Sequence, residues 1–306
     1  PQFVREMRAA CRGADVLVLA HPYLVDAAKG LAPGVPLVYD AHNDEIALKD
    51  QLLPRTEAGD WWRAVVKRVE SAAVAESVVV AAPTDRERVS LGQLAGTDEH
   101  ILVVPNGTDA AAVEFTTGSE RARHTARLLA RRDLPADAAG VALFVGSGHP
   151  PNLAGAKRVA HLAARIPAVQ FFVVGRCGET LDPARVPANL TIAGRVGDDQ
   201  LAELLAGASV ALNPVSEGGG SNLKVIEALA AGLPVVTTSV GARGVPRDLV
   251  TVTSVRGLEH GLDQVLSNPE ATRERVQRAR IWVSESLDWT VVMQQFVEAV
   301  NGSMSP

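Results

Sequence analysis

Cysteine is nearly absent from this sequence. Cys11 and Cys177 stand far apart, with no CxxC pair and no Cys/His cluster. That excludes a disulfide framework and a structural zinc site, and it fits a reducing, cytoplasmic setting. Aromatic residues make up only 4% of the chain. No apolar run approaches the ~20 residues that a membrane-spanning helix needs. No secretory leader is visible either: the chain opens at Pro1, and Phe3, Met7 and Ala10 already follow a helical pattern, which reads as a fragment or a processed start. A basic excess is missing as well. With 30 Lys and Arg against 35 Asp and Glu the formal charge is −5, which argues against a nucleic-acid partner.

What the chain has is Ala, Val and Leu, with 47% of its 306 residues hydrophobic, enough for two domains that each bury a core. The apolar residues gather in short continuous runs: Val16–Ala20, Pro36–Tyr39, Val78–Ala82, Ile101–Val104, Val141–Val145, Phe171–Val174, Leu190–Ala193, Val210–Leu212 and Pro234–Thr237. Each is too short for a helix and lacks strict alternation, as expected of parallel strands covered on both faces. Helical patterns at Trp61–Ala75, Asn152–Arg165, Asp198–Leu205 and Leu223–Ala231 lie between them, giving repeated βα units. The turn at Pro105-Asn106-Gly107 is followed by a strandless, basic stretch with Arg121, Arg123, Arg127, Arg131 and Arg132. The expected division is a first domain over 1–106, a linker and lead-in helix over 107–138, a second domain over 139–288 and a closing helix over 289–306.

The most informative segment runs from Pro214 through Glu217, Gly218, Gly219, Gly220, Ser221 and Asn222 into a helix bearing Lys224 and Glu227. Glycines let backbone amides approach an anion closely, and a helix N-terminus adds unpaired N–H groups and partial positive charge. A lysine in the first turn opposes the helix dipole, so its placement calls for a reason such as a diphosphate. Glu227, three residues on, is placed to reach a ribose. The bland alternative is a glycine-rich turn with a solvated lysine. A Walker loop and the GxGxxG dinucleotide fingerprint are both missing, which counts against a dehydrogenase.

This segment, with Asp40-Ala41-His42-Asn43, Val104-Pro105-Asn106-Gly107, Phe144-Val145-Gly146-Ser147, Pro151-Asn152, Ala193-Gly194-Arg195-Val196 and the Trp289 helix in order, resembles the family 4 glycosyltransferases over nearly the whole chain. The resemblance implies the GT-B fold: two Rossmann-like, doubly wound parallel-sheet domains facing across a cleft. It implies a retaining transferase moving a sugar from a nucleoside-diphosphate sugar to a hydroxyl acceptor (glycan, lipid-linked or small molecule), with no metal and no other cofactor. It also implies that the first domain is N-terminally incomplete, its opening strand and glycine-rich loop belonging to a segment or chain before Pro1. A nucleotide-sugar epimerase and a non-catalytic relative binding nucleotide or a partner protein remain as alternatives.

Carried over by position, the resemblance makes Glu227 the ribose-holding acid and Glu217 the sugar-contacting one. Nine residues lie between them, two more than the resembled motif has, and Gly219 occupies the strict position of the first acid. The family's Arg and Lys after the first strand of the second domain are replaced by Gly146-Ser147-Gly148-His149. That leaves Lys224 as the cation for the diphosphate, with Gly146 and Ser147 lending close backbone approach and Lys157 on a solvated helix face. His42 matches a histidine near the reacting sugar, and the backbone at Arg195 matches the place that reads the nucleobase, with Arg176 nearby. Asp44 and Glu45 are candidates for acceptor contact but read mainly as solvated surface. Trp61, Trp62, Arg63, Lys67 and Arg68 form a basic, aromatic helical surface, which reads first as a partly buried helix with a solvated basic face and second as a candidate for peripheral contact with an anionic membrane on its inner face.

Overall fold

A computed structural model describes residues 2–116, 118–218 and 222–304. Two compact α/β units result, one from residues 2–106 with 290–304, the other from 107–218 with 222–289.

In the first unit, α1 (Gln2–Ala10), β1 (Leu17–Leu19), α2 (Val25–Leu31), β2 (Leu37–Asp40), α3 (Glu45–Leu52), α4 (Glu57–Glu76), β3 (Ser77–Ala82), α5 (Asp85–Ala95) and β4 (Ile101–Val103) follow in sequence. The four strands pair in parallel in the order β1-β2-β3-β4. Alternate side chains of a strand point to opposite faces, and at the central strands β2 and β3 both faces are covered, whereas Val18 of the edge strand β1 is exposed. Leu37, Tyr39, Val80 and Ala82 meet residues of α2, α4 and α5, whereas Val38, Val79 and Ala81 meet Phe296 and Val300. That explains why the runs in the sequence are apolar throughout rather than alternating.

In the second unit, α6 (Gly118–Arg131), β5 (Gly140–Val145), α7 (Pro150–Arg165), β6 (Val169–Val174), β7 (Leu190–Gly194), α8 (Asp198–Gly207), β8 (Val210–Asn213), α9 (Leu223–Ala230), β9 (Val235–Thr237), β10 (Thr251–Val252), α10 (Leu258–Ser267) and α11 (Pro269–Ser286) precede the closing helix α12 (Trp289–Met304). The sheet is parallel, in the order β10-β9-β8-β5-β6-β7. Leu143 and Phe172 pack beneath α6, α8, α9 and α11, while Phe144 and Phe171 pack beneath α7 and α10. Strand order reverses between β5 and β8, so the crevice beyond their C-terminal ends is where an open sheet of this kind takes ligands.

Arg121 departs from its sequence reading. Grouped there with the arginines of a basic linker, it is 8% exposed and donates to the carbonyls of Leu205 (2.6 Å), Ala206 (3.1 Å), Ala208 (3.0 Å), Thr116 (3.4 Å) and Ala231 (2.8 Å). It thereby gathers the C-terminal carbonyls of α8 and α9. Arg280 adds bonds to Ala230 O (2.7 Å) and Ala110 O (2.6 Å). The end of α9 is closed further by Gly232 at φ +73°, with Leu233 N–H reaching Ala228 O at 2.8 Å and Gly232 N–H reaching Leu229 O at 3.0 Å, a Schellman closure that needs the left-handed residue.

Candidate functional site

The loops after β5 and β8 bring the candidate donor residues together at the strand-order reversal. Asn222 stands at the N-cap of α9, and Lys224 projects from its first turn to bond Asn152 Oδ1. Asn152 in turn donates from Nδ2 to Ser147 Oγ at 3.0 Å. The Lys224 ammonium lies 5.3 Å from the centre of the Phe144 ring, within range of a cation–π contact. Burial pushes Lys224 down to about 8, with the Cys177 thiol and Glu227 pulling the other way. Burial likewise pushes Cys177 up to about 11. For Glu227 burial raises the carboxyl and Lys224 lowers it.

Gly146 is tightly enclosed. A Cβ there would come within 2.9 Å of Cys177 Sγ and 3.0 Å of Asn152 Cβ. Gly175 lies at φ +93°, and a Cβ on it would meet Gly146 O at 2.3 Å. Only glycines let these two loops touch while leaving Ser147 and Asn152 forward. The approach to α9 is braced by Arg158, which donates to Pro214 O and to Ser216 Oγ, both at 2.8 Å, and by Arg243, which donates to Gly218 O. Thr238 Oγ1 bonds Val215 O. Gly218 is at φ +117°. Gly219, Gly220 and Ser221 lie outside the described residues, and Glu217 is exposed just ahead of them.

Glu227 also lines a cavity of about 820 Å³ with Thr108, Glu114, Arg127, Asp198 and Leu201. Arg195 is exposed on the loop after β7, and Arg176 is exposed beside Glu179 at 3.7 Å. Lys157 is exposed. Sequence reasoning missed Arg158 and Arg243 as braces because nothing local marks an arginine that reaches another loop's carbonyls. Among the described residues no three His, Cys, Asp or Glu side chains gather as metal ligands.

His42 belongs to the first unit. Its Nε2 is 3.3 Å from Asp40 Oδ2 at the end of β2, and its ring centre is 5.0 Å from that of His21, which follows β1. His21 carried no signal in the sequence; the parallel pairing of β1 and β2 brings it there. Asp44 and Glu45 are not the solvated residues expected. Asp44 caps α3 by accepting from Ala47 N–H at 2.7 Å and also accepts from Ser90. Glu45 is 4% exposed, accepts from Tyr23 Oη at 2.6 Å and pairs with Lys49 at 3.2 Å. Beneath them Glu70 is fully buried, accepting from Tyr39 Oη (3.1 Å), Glu45 N–H (2.9 Å) and Ile46 N–H (2.8 Å). Glu70 therefore fixes the start of α3, just after His42.

Burial pushes Glu70 up to about 7, against the pull of those donors. Folding thus favours its protonated form, so the stability this group contributes is full below its unfolded pKa and is lost as the pH rises through 7. Between pH 5 and 8 the wild type should lose about 2–3 kcal/mol that a Glu70→Gln variant does not lose. Urea denaturation at both pH values checks this; parallel profiles would refute it.

On α4, Trp61 and Trp62 are exposed and meet edge to face with centroids 4.8 Å apart. The cationic part of that surface is weaker than the sequence suggests. Arg63 is turned to Asp60 and to the carbonyls of Leu53 and Pro54, and Arg68 is paired with Asp26 at 2.9 Å. Lys67 stays exposed. No described helix is long and apolar enough to cross a membrane.

Comparison with known proteins places this arrangement. The family model described as "Glycosyl transferases group 1" matches residues 139–276. The phosphatidyl-myo-inositol mannosyltransferase of Mycolicibacterium smegmatis is 30% identical over 217 residues, covering 65% of this chain and 52% of that protein. That of Mycobacterium tuberculosis H37Rv is 30% identical over 219 residues, covering 65% and 54%. The chain spans about half the length of these curated relatives. Among solved structures, Anabaena Alr3699/HepE in complex with UDP and glucose is similar with a TM-score of 0.76 at 17% identity, covering 97% of this chain and 80% of that one. Sucrose-phosphate synthase from Thermosynechococcus elongatus gives 0.76 at 20% identity, covering 99% and 77%. The chain thus has the GT-B fold, as the resemblance in the sequence implied.

Proposed function

We propose that this protein is a retaining glycosyltransferase that moves a sugar from a nucleoside-diphosphate sugar to a hydroxyl acceptor. The observation that carries the reading is a half-buried lysine in the first turn of α9, bonded to a neutral amide at the sheet's reversal point. A diphosphate leaving there would gain the Lys224 charge and the N-terminal amides of α9, both fixed before the reaction begins. Glu227, between Lys224 and the 820 Å³ cavity, would take the ribose. In the transfer the bond from the anomeric carbon to the diphosphate oxygen breaks, the acceptor oxygen bonds that carbon on the same face, and the acceptor proton passes to the leaving phosphate. Glu217 and His42 are the candidates for contact with the transferred sugar. The chemistry asks for no metal, since the chain's own donors meet the developing charge.

The curated relatives are named as mannosyltransferases and one structural neighbour is a complex with UDP and glucose, so nucleotide-activated mannose and UDP-sugars are the first donors to try. Incubating the protein with a panel of labelled nucleotide sugars, scoring both transfer and hydrolysis, tests the reading. No turnover and no binding of any donor would refute it. Glu227→Gln is expected to raise the dissociation constant for the matching nucleoside diphosphate about tenfold, by weakening one charge-assisted hydrogen bond. Titration calorimetry checks this, and unchanged affinity would remove Glu227 from the site. His42→Ala should depress transfer while leaving nucleotide affinity within about twofold; equal losses in both would mark His42 as structural.

A further inference from the structure

We infer that Asn152 is a positioning residue that presents Lys224 to the donor's diphosphate as a cation held in place but not neutralised; this rests on the donor-site reading above. Lysine is a flexible point charge with three donors and much rotamer freedom. Here one donor is spent on Asn152 Oδ1, and the Phe144 ring lies against the ammonium. Among the described residues no other hydrogen bond engages the ammonium, which leaves its remaining donors for a ligand. Asn152 can hold the ammonium in this way because its own amide is oriented: Nδ2 is engaged by Ser147 Oγ at 3.0 Å, so Oδ1 is the atom turned to the lysine. Its backbone N–H bonds His149 O at 2.9 Å, and the absence of a side chain at Gly146 leaves room for its Cβ. The chain Ser147–Asn152–Lys224 thus ties the loop after β5 to the helix after β8.

An aspartate would fit the same space. It would cancel the lysine's charge and set a carboxylate beside the incoming diphosphate, which like charges disfavour. The asparagine supplies the geometry of an ion pair without its counter-charge. The groups facing Lys224 are the Phe144 ring from β5, the Asn152 amide from α7, the Cys177 thiol from the turn after β6 and Glu227 from its own helix. With its ammonium pushed down to about 8 by burial, Lys224 is largely neutral at pH 8.5, and a bound diphosphate restores its proton.

Asn152→Asp is the test, with UDP and GDP as probes. Calorimetry at pH 8.5 in two buffers of different ionisation heat should show wild-type binding with uptake of roughly half a proton or more. The variant should bind about 10- to 100-fold more weakly, without that uptake. Asn152→Ala should also bind more weakly but keep the uptake, which separates lost positioning from lost charge. In the nucleotide-free protein, the Lys224 titration can be followed by ¹³C NMR of methylated lysines, with Lys224→Met assigning the signal. Its midpoint should move upward in Asn152→Asp by about one unit or more. An unmoved midpoint, or uptake retained in Asn152→Asp, overturns the inference while leaving the donor site standing. Wild-type protein that binds neither nucleotide overturns the donor reading, and this inference with it.

Discussion

Lys224→Ala should slow glycosyl transfer about 100- to 1000-fold, the usual loss when one preorganised donor to developing charge is removed. Lys224 is the only ammonium group in the first turn of α9, and its cost of burial is already met in the folded state. The groups in contact with the lysine are a neutral amide and a ring, and the one acid that feels its charge, Glu227, is only half-buried and rises when the lysine is gone, so the fold should persist. The measurement is kcat/KM with the active donor, alongside the dissociation constant of its nucleoside diphosphate and the thermal midpoint. Unchanged turnover and affinity would remove the diphosphate from this helix end.

The largest expected effect on stability lies elsewhere in the second unit. Arg121→Ala should cost about 3–4 kcal/mol, because it strands several buried carbonyls at once and leaves a void where the guanidinium lay. Arg121→Lys should recover little of this, since a single ammonium cannot span carbonyls of both α8 and α9. Arg131 is an internal control on the same helix. It pairs with Glu203 at the surface, and Arg131→Ala should change stability by less than about 1 kcal/mol. Urea midpoints of the three variants decide this; similar values for Arg121→Ala and Arg131→Ala would sink it.

The contrast between Arg121 and Arg131 shows where sequence reading stops. Both stand among arginines on one helix, and no local pattern says which one turns inward; that depends on where α8 and α9 end. Strands were legible because apolar runs covered on both faces leave an unbroken mark, as Leu143 and Phe144 do by facing opposite layers. β10, two residues long, leaves too short a mark to read. Lys224 could be singled out because a cation in a first helical turn conflicts with the helix dipole. Its partner could not, since Asn152 lies 72 positions away and meets it only through sheet order. Asp44 and Glu45 differ from expectation for the same reason: their polarity is visible in the sequence, but the buried Glu70 and the part-buried Ser90 that meet them are not.

The two arginines at the far end of α9 bear on more than the strength of the fold. An anion drawn to the N-terminus of a short helix pulls along its axis, and a helix free to slide would answer by moving. This one is anchored at the other end, where Arg121 and Arg280 grip its last carbonyls and the Schellman closure shuts the backbone. It behaves as a post set in a footing, so a ligand's attraction is resisted by the whole second unit and little is dissipated in recoil. Changes at Arg121 too mild to unfold the protein should therefore still be felt at Lys224, some two turns of helix away.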